Sequence, residues 1–377
     1  MSRVFVLGRF PPPADGQTLA TERCASFLAR DLDVVRLDTG APGPDPLSAD
    51  PRWSWRRAAH YLGQRRALAG ALARDPAAPV LWHAVSPAPL GHLRDRLATV
   101  PAFAPGQPVV AVLHRAGFEA LARSPVTAAS AARLVARVRA VVFHSPALAR
   151  RCAGIVPEAK WRVVPNTVRD ALVPPATVVE ARRAAGPGTP LRVLFLSNLL
   201  PEKGYADVLE AVGRLHARGV GVRLTVAGRW PTAAARAAFE ARAAALAAAV
   251  DVVGGVSDAA EVARLHLGAD VLALPTTHPT ETQPIALLEA LAAGTPVVSV
   301  DRPVVRDVVT DGVEGALVRP HDVGALAEAI DGLREPGHWR AASAAARARF
   351  DAAFHPDVVG AQWRALAAEA AGPDGFS

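Results

Sequence analysis

ETQPIALLEALAAGTPVVS, residues 281–299, reads as an apolar helix opening behind Pro284, a Gly-Thr-Pro turn and a valine-rich strand. Helix, short turn and unbroken apolar strand form half of a βαβ unit, and a strand without polar alternation is one buried on both faces, as in a parallel sheet. Within this apolar run stands Glu289, eight positions after Glu281. A carboxylate placed there costs several kcal/mol unless something pairs with it. The stretch therefore sets both the fold class and a chemical question, namely what answers the two acids.

The same alternation runs through the chain, short Val/Leu-rich runs between alanine-rich helical segments, the pattern of parallel sheets with helices on both faces. In the first half, strands are expected near 3–7, 33–37, 79–83, 108–113, 140–144 and 161–164, with helices near 17–29, 52–74, 88–98, 128–137 and 146–153. VRDALVPPATVVEARRAAGPGTP, residues 168–190, has prolines, glycines and no strong period, so it reads as an interdomain crossing. A second unit starts at LRVLFLS, with strands near 191–197, 222–227, 251–254, 270–274, 296–300 and 316–318. Its helices fall near 205–217, 232–249, 258–267, 285–293 and 322–333. The expected fold class is α/β, two facing Rossmann-like domains with an interdomain cleft at the carboxyl ends of both sheets, where ligands of such sheets bind. The expected domains are 1–172 and 173–354. Residues 355–377 contain HPDVVGAQWRALAAEA, whose Val358, Val359, Trp363 and Leu366 at helical spacing call for a helix packing back on the N-terminal domain.

A chain of 377 residues exceeds one ordinary domain of roughly 100–200 residues, in keeping with two. Although 51% of residues are hydrophobic, no apolar run approaches the roughly 18–20 residues of a spanning helix, so a soluble, cytoplasmic chain is expected. MSRVFVLGRFPPPADG reads as a first strand ending in prolines, without the cleavage site of a signal peptide. Cys24 and Cys152 lack metal or redox neighbours and are expected as free buried thiols. The net charge of +7 suits nucleic acid, an anionic membrane or a phosphorylated small molecule, and dispersed basic residues with only 5% aromatics disfavour nucleic acid. Of 42 basic residues only Lys160 and Lys203 are lysine, so a compact point charge is used sparingly.

Three loops at expected strand ends carry the candidate chemistry. In RFPPPADGQTLATE, residues 9–22, Gly16 allows close backbone approach and the following helix start favours an anion; the alternative is an ordinary βα loop. In LFLSNLLPEKGYADVLEAV, residues 194–212, Lys203 precedes a helix at a sheet's carboxyl edge, a place that suits a diphosphate. In ALPTTHPTETQPIALLEALAAG, residues 273–294, the helix starts near Pro284 or Ile285, and its free amides bind phosphate or sugar oxygens. Glu281 and Glu289 at either end of such a pocket can accept hydrogen bonds from vicinal hydroxyls. No G-x-G-x-x-G occurs, so no dinucleotide cofactor is expected. Asp31-Leu32-Asp33 spells D-x-D but lies between a helix and a strand, away from these loops, so no metal site is expected.

With these three segments the chain resembles the retaining, GT-B-fold nucleotide-sugar glycosyltransferases, in particular the large family four of lipid, cell-wall and natural-product glycosyltransferases. The resemblance covers nearly the whole chain. It is strongest from about 190 to 335, where FLSNLLPEKG, VAG, VVGGVSDAAEVARLHLGADVLALP, ETQPIALLEALAAGTPVVS and DGVEGALV follow in the family's order. It implies that Lys203 contacts the donor diphosphate, Glu289 the nucleotide ribose and Glu281 the hydroxyls of the transferred sugar. Thr282, Gln283, Pro284 and Ile285 would form the loop and helix start that receive the sugar and distal phosphate. Gly16 matches a phosphate-approach glycine, and His114 in VVAVLHRAGF a histidine near the sugar, although by position alone it reads as an edge histidine. Ser145 and Asn166 also sit at family-like positions, with capping or turn roles as the alternative. Two positions depart from the family: Asn198 stands where an arginine is usual, and Gln17 where a second glycine is frequent. Arg229 in VAGRWP ends the next strand and is a candidate to supply the missing charge.

The resemblance implies transfer of a sugar from a nucleotide-diphosphate sugar to a hydroxyl acceptor, with retention by front-face departure of the diphosphate and without a divalent metal or other cofactor. Helix amides and cations then neutralise the leaving group. PRWSWRRAAHYLGQRRALAG, residues 51–70, projects as a basic amphipathic helix, with Trp55, Tyr61, Leu62 and Leu68 on one arc and Arg52, Arg56 and His60 opposite. It offers peripheral contact with an anionic membrane carrying a lipid-linked acceptor, or simply covers the sheet. Two alternatives stay open: a catalytically silent nucleotide-sugar-binding partner of another glycosyltransferase, and a nucleotide-sugar 2-epimerase.

Overall fold

The computed structural model of the protein describes residues 2–12, 16–39, 55–246 and 248–372. Among the described residues twelve strands form, each within one residue of its expected limits. In the first unit these are β1 (Arg3–Gly8), β2 (Asp33–Asp38), β3 (Val80–Trp82), β4 (Val109–Leu113), β5 (Ala140–Phe143) and β6 (Trp161–Val163). They pair in parallel in the order β2-β1-β3-β4-β5-β6. Both faces are covered, which is why these strands carry no polar alternation. Val4 and Val6 of β1 pack on one side with Cys24, Leu28, Val110 and Val142, while Phe5 and Leu7 pack on the other with Trp82, Ala111 and Phe143. Cys24 and Cys152 are free and buried in these two layers.

The second unit has β7 (Leu191–Leu196), β8 (Val222–Ala227), β9 (Val250–Val253), β10 (Val271–Leu274), β11 (Val297–Val300) and β12 (Gly315–Val318). Its parallel order is β12-β11-β10-β7-β8-β9. The chain thus moves outward from β7 through β8 to β9, returns to β10 on the other side of β7, and continues to β12. The carboxyl ends of β7 and β10 are the switch point of this sheet, and those of β1 and β3 are the switch point of the first.

The chain divides after Asn166 and again at Val359: residues up to Asn166 group with those from Val359, and Thr167–Val358 form the other unit. The hydroxyl of Thr167 donates to the Phe354 carbonyl at 2.5 Å inside the second unit, so 167–172 lie there. The helix Pro356–Ala371 carries Val359, Trp363, Leu366, Ala367 and Ala370 into the layer around Val4 and Val6.

Several helices depart from expectation. The segment 168–190, expected as a crossing, lies in the second unit and contains the helix Ala176–Ala185. Pro175 starts this helix instead of breaking it, and Gly186, at φ 82°, ends it. The helix Pro336–Ala353 was not anticipated in an Ala/Arg-rich stretch of weak apolar contrast. Glu335 caps it through the amides of Gly337 and His338, and Trp339, Ala342, Ala346 and Phe350 form its buried stripe. The helix expected at 88–98 is Pro89–Arg94 followed by a wider π turn over Asp95–Thr99, and that expected at 232–249 ends at Ala243, followed by a 3-10 turn over Ala244–Leu246. The helix expected at 52–74 is seen over Trp55–Leu72. Residues 51–54, including Arg52, lie outside the described residues, as do the side chains of 55–61, so the proposed membrane face falls largely outside them. No described helix is long and apolar enough to cross a membrane.

Candidate functional site

At the β7/β10 switch point the two chemically marked loops meet. Lys203 ends the turn Pro201–Lys203 after β7, and Glu281 lies in the loop after β10; their side chains form an ion pair with both groups largely buried. Thr276 donates its hydroxyl to the same Glu281 oxygen at 3.5 Å. The sheet order brings this about, since residues 78 apart in sequence follow neighbouring strands. The loops are tied together by backbone as well. The Thr277 amide donates to the Glu202 carbonyl at 2.7 Å, and Arg302 donates to the carbonyls of Thr276 and His278 at 3.3 and 3.1 Å.

Gly204 is the closest point of that junction. It has φ 82°, and a Cβ on it would stand 2.7 Å from both the carbonyl oxygen and Cγ of Pro275. Gly204→Ala is therefore expected to destabilise the protein by about 2–3 kcal/mol, through left-handed strain plus displacement of the Pro275 backbone. Denaturant unfolding measures this, and an unchanged midpoint would show that the two loops are not locked together.

Behind Glu281, Thr282, Gln283 and Pro284 are buried, and the helix Ile285–Ala292 begins with Pro284 as its cap. The cap makes no side-chain bond and the Leu287 amide donates to the Pro284 carbonyl at 3.1 Å, which leaves the amides of the first two helical residues as the donors this end can offer an anion. Glu289, one turn in, is 15% exposed at the side chain. His266 Nε2 lies 3.5 Å from Glu289 Oε2, yet neither ring nitrogen of His266 has a hydrogen bond. The nearest partner of Glu289 is thus an unbonded neighbour, and its oxygens retain acceptor capacity.

Asn198 and Arg229 are both exposed at neighbouring strand ends, joined by the Leu199 amide donating to the Arg229 carbonyl at 3.0 Å. The Arg229 guanidinium has no hydrogen-bond or ion-pair partner among the described residues. The other lysine has a different task. Lys160 Nζ donates to the carbonyls of Val135 and Val138, both at 2.7 Å, neutralising the end of the helix Pro125–Arg137. The carboxylates of the D-x-D are in ion pairs, Asp31 with Arg364 at 3.2 Å and Asp33 with Arg3 at 2.8 Å.

In the first unit, Gly16 begins the helix Gly16–Leu28 on the surface, with nothing within 4 Å of the place a Cβ would take. Residues 13–15 of its loop lie outside the described residues. Gln17 donates its amide to the His83 carbonyl at 2.9 Å, tying the start of this helix to the end of β3. Ser145 accepts from the Leu148 amide at 3.2 Å, the capping role.

His114 follows β4 and does not stand alone. His83 follows β3 and His144 follows β5, so three adjacent parallel strands each end in a histidine. His83 Nδ1 is 2.9 Å from His114 Nε2, and His114 Nδ1 is 3.0 Å from His144 Nε2. His144 Nδ1 is 3.0 Å from the Val164 carbonyl oxygen. Both ring nitrogens of His114 are engaged by neighbouring histidines. Burial pushes His83 down to about 3 and His144 to about 4, and burial with its two neighbours lowers His114 well below the ordinary value. All three rings are neutral at neutral pH. His83 and His144 were not singled out from sequence. The signal was LWHAV, VLHRA and VFHSP, an apolar run ending in histidine at three successive strands.

Known proteins resemble this chain in two ways. Its fold is shared with Anabaena HepE solved in complex with UDP and glucose, with a TM-score of 0.68 at 17% identity over 97% of this chain and 99% of that one. Among curated relatives, a putative colanic acid biosynthesis glycosyltransferase, WcaL, of Salmonella typhimurium is 31% identical over 49% of this chain and 47% of its own length. A phosphatidyl-myo-inositol mannosyltransferase of Mycolicibacterium smegmatis is 34% identical over 45% and 43%. The chain spans about half the length of the curated relatives it matches. Residues 180–348, which include Lys203, Glu281, Glu289 and the switch point that joins them, match the family described as Glycosyl transferases group 1.

Proposed function

We propose that the protein is a retaining glycosyltransferase that moves a sugar from a nucleotide-diphosphate sugar to a hydroxyl acceptor. The observation that carries this reading is the junction at β7 and β10, where Lys203, Glu281 and the opening of the helix Ile285–Ala292 come together within the stretch that matches glycosyl transferases group 1. In this reading the diphosphate lies at the helix start, where amides and Lys203 offset its charge. Glu281 accepts hydroxyls of the transferred sugar and Glu289 those of the ribose. The leaving diphosphate departs from the face on which the acceptor attacks and takes its proton, so neither a carboxylate nucleophile nor a metal is called for. The relatives' acceptors, a phosphatidyl-myo-inositol among them, make a lipid-linked or glycan acceptor the first class to try.

A thermal-shift screen against nucleoside diphosphates and their sugars, beginning with UDP and UDP-glucose, tests the donor site. A ligand at 100 times its Kd stabilises the folded form by about 2.7 kcal/mol, a rise of roughly 5–11 °C for a unit of this size. If no nucleotide raises the melting point, the donor reading fails. Arg229, exposed beside Asn198, is proposed to supply the charge that Asn198 lacks, and Arg229→Ala is expected to raise the donor KM or lower kcat by about tenfold. Unchanged kinetics would remove it from the site.

One observation favours a second reading: the exposed Asn198, where the resemblance implies an arginine, suits a silent partner that binds donor without transferring it. Slow acceptor-free donor hydrolysis, abolished in Glu281→Ala, distinguishes an enzyme from such a partner.

A further inference from the structure

We propose that His83 and His144 are positioning residues for His114, joined to it in a one-way chain of hydrogen bonds that fixes which nitrogen of His114 carries the proton. The inference rests on the glycosyltransferase reading only for its consequence in catalysis; the chain itself follows from geometry. Its direction is set at one end. The Val164 carbonyl can only accept, so His144 Nδ1 donates to it. A neutral imidazole has a single N–H, which leaves His144 Nε2 as an acceptor, and His114 Nδ1 donates to it at 3.0 Å. His114 Nε2 is then the acceptor for His83 Nδ1 at 2.9 Å. Every proton of the three rings is used once, and the chain ends at His83 Nε2, a buried acceptor with no hydrogen-bond partner.

That end is the observation that makes the chain more than packing. His83 is fully buried, tilted against Trp363 with ring centroids 5.3 Å apart, and an unmade hydrogen bond at a buried ring costs about 1–3 kcal/mol. Reversing the chain would satisfy His83 no better and would leave His144 Nδ1 bare against the Val164 oxygen, two acceptors face to face. The direction is therefore over-determined. The hydrogen bonds run between successive ring pairs instead of converging on one point, and no group of His, Cys, Asp or Glu among the described residues is arranged to hold a metal ion.

The chain holds His114 neutral and with both nitrogens occupied. The resemblance implies a histidine at this position near the transferred sugar, and on that reading a neutral ring sets no charge against an anomeric carbon that gains positive charge, whereas an imidazolium would repel it. Gln17 extends the support by bonding the His83 carbonyl at 2.9 Å, which gives the residue at the family's second glycine position a task of its own.

Long-range 1H–15N spectra of the histidine rings in the full-length protein at pH 7 test the chain. The expected result is three neutral rings, each protonated at Nδ1. An Nε2–H tautomer or an imidazolium at His114 overturns the proposal. In His144→Leu the acceptor for His114 Nδ1 is gone and the ring is expected to shift toward Nε2–H, while His144→Gln, which can still accept, keeps Nδ1–H and confirms that the fold is intact. Steady-state kinetics with nucleotide-sugar donor form the second arm. His144→Leu is expected to lower kcat on the order of tenfold with KM little changed, the rate equivalent of one hydrogen bond, and His144→Gln to restore most of it. Unaltered kcat in His144→Leu overturns the positioning role. Nδ1–H rings in a protein that no nucleotide stabilises would support the chain and sink the donor reading, so the two failures are separable.

Discussion

On the proposed reaction, Lys203→Met is expected to lower kcat for sugar transfer by on the order of 100-fold or more, because it would remove a fixed charge from where the leaving diphosphate would gain negative charge. In a chain that uses arginine almost everywhere else, this lysine is a compact charge on a flexible stem, set at a sheet's switch point. The same substitution also acts on stability. Lys203 and Glu281 are only 14% and 13% exposed at their side chains, so removing one leaves a largely buried carboxylate unpaired. The cost is about 2–4 kcal/mol, toward the lower figure because both groups reach the loop surface. The double variant Lys203→Met with Glu281→Gln separates the two effects. It is expected to recover most of the stability, since no lone charge remains, and none of the activity. If both variants turn over donor within a few-fold of the parent, Lys203 is a structural counter-ion and not a catalytic residue.

How much of this was legible beforehand depends on what each feature needs. The strands needed only burial on both faces. VVAVL, residues 109–113, reads as apolar because Val110 and Val112 meet one layer while Val109, Ala111 and Leu113 meet the other. The helix Pro336–Ala353 was hidden because its buried face is mostly alanine, which carries little apolar contrast against the alanines of its exposed face. Lys203 and Glu281 were each marked by their places at strand ends, but their pairing was not, because it depends on β10 returning to lie beside β7. Glu289 was expected to find hydroxyl partners, and the structure adds His266 beside it without a bond. The histidine chain was the least legible feature. Its members are about 30 residues apart, and only parallel pairing in register, Leu81 with Val110 and Val112 with Val142, turns three separate strand ends into one row.

That row is expected to give the protein an acid limit. Each histidine has a folded pKa pushed below the ordinary value of about 6.5, so the stabilisation is complete above that value and is lost as the pH falls beneath it, where the unfolded chain takes up protons that the fold excludes. Between pH 6 and 5 the unfolded chain would hold about three more protons on these rings than the folded one. Asp95 works in the opposite direction. Burial raises it to about 6, against the pull of Arg94, so the folded carboxyl takes a proton in the same interval while the unfolded one does not. The net difference is about two protons, a slope of ~3 kcal/mol per pH unit. His92, lowered by burial and by Arg96, adds to the loss. Against a total stability of about 5–15 kcal/mol, such a slope brings the protein close to unfolding near pH 4. Urea unfolding at a series of pH values between 7 and 5 measures it. His144→Gln removes one of the excluded protons and is expected to flatten the slope by ~1.4 kcal/mol per unit, which ties the acid limit to this row and not to the protein's many surface ion pairs. A free energy of unfolding that stays level from pH 7 to 5 would mean that the three rings accept protons without leaving the fold.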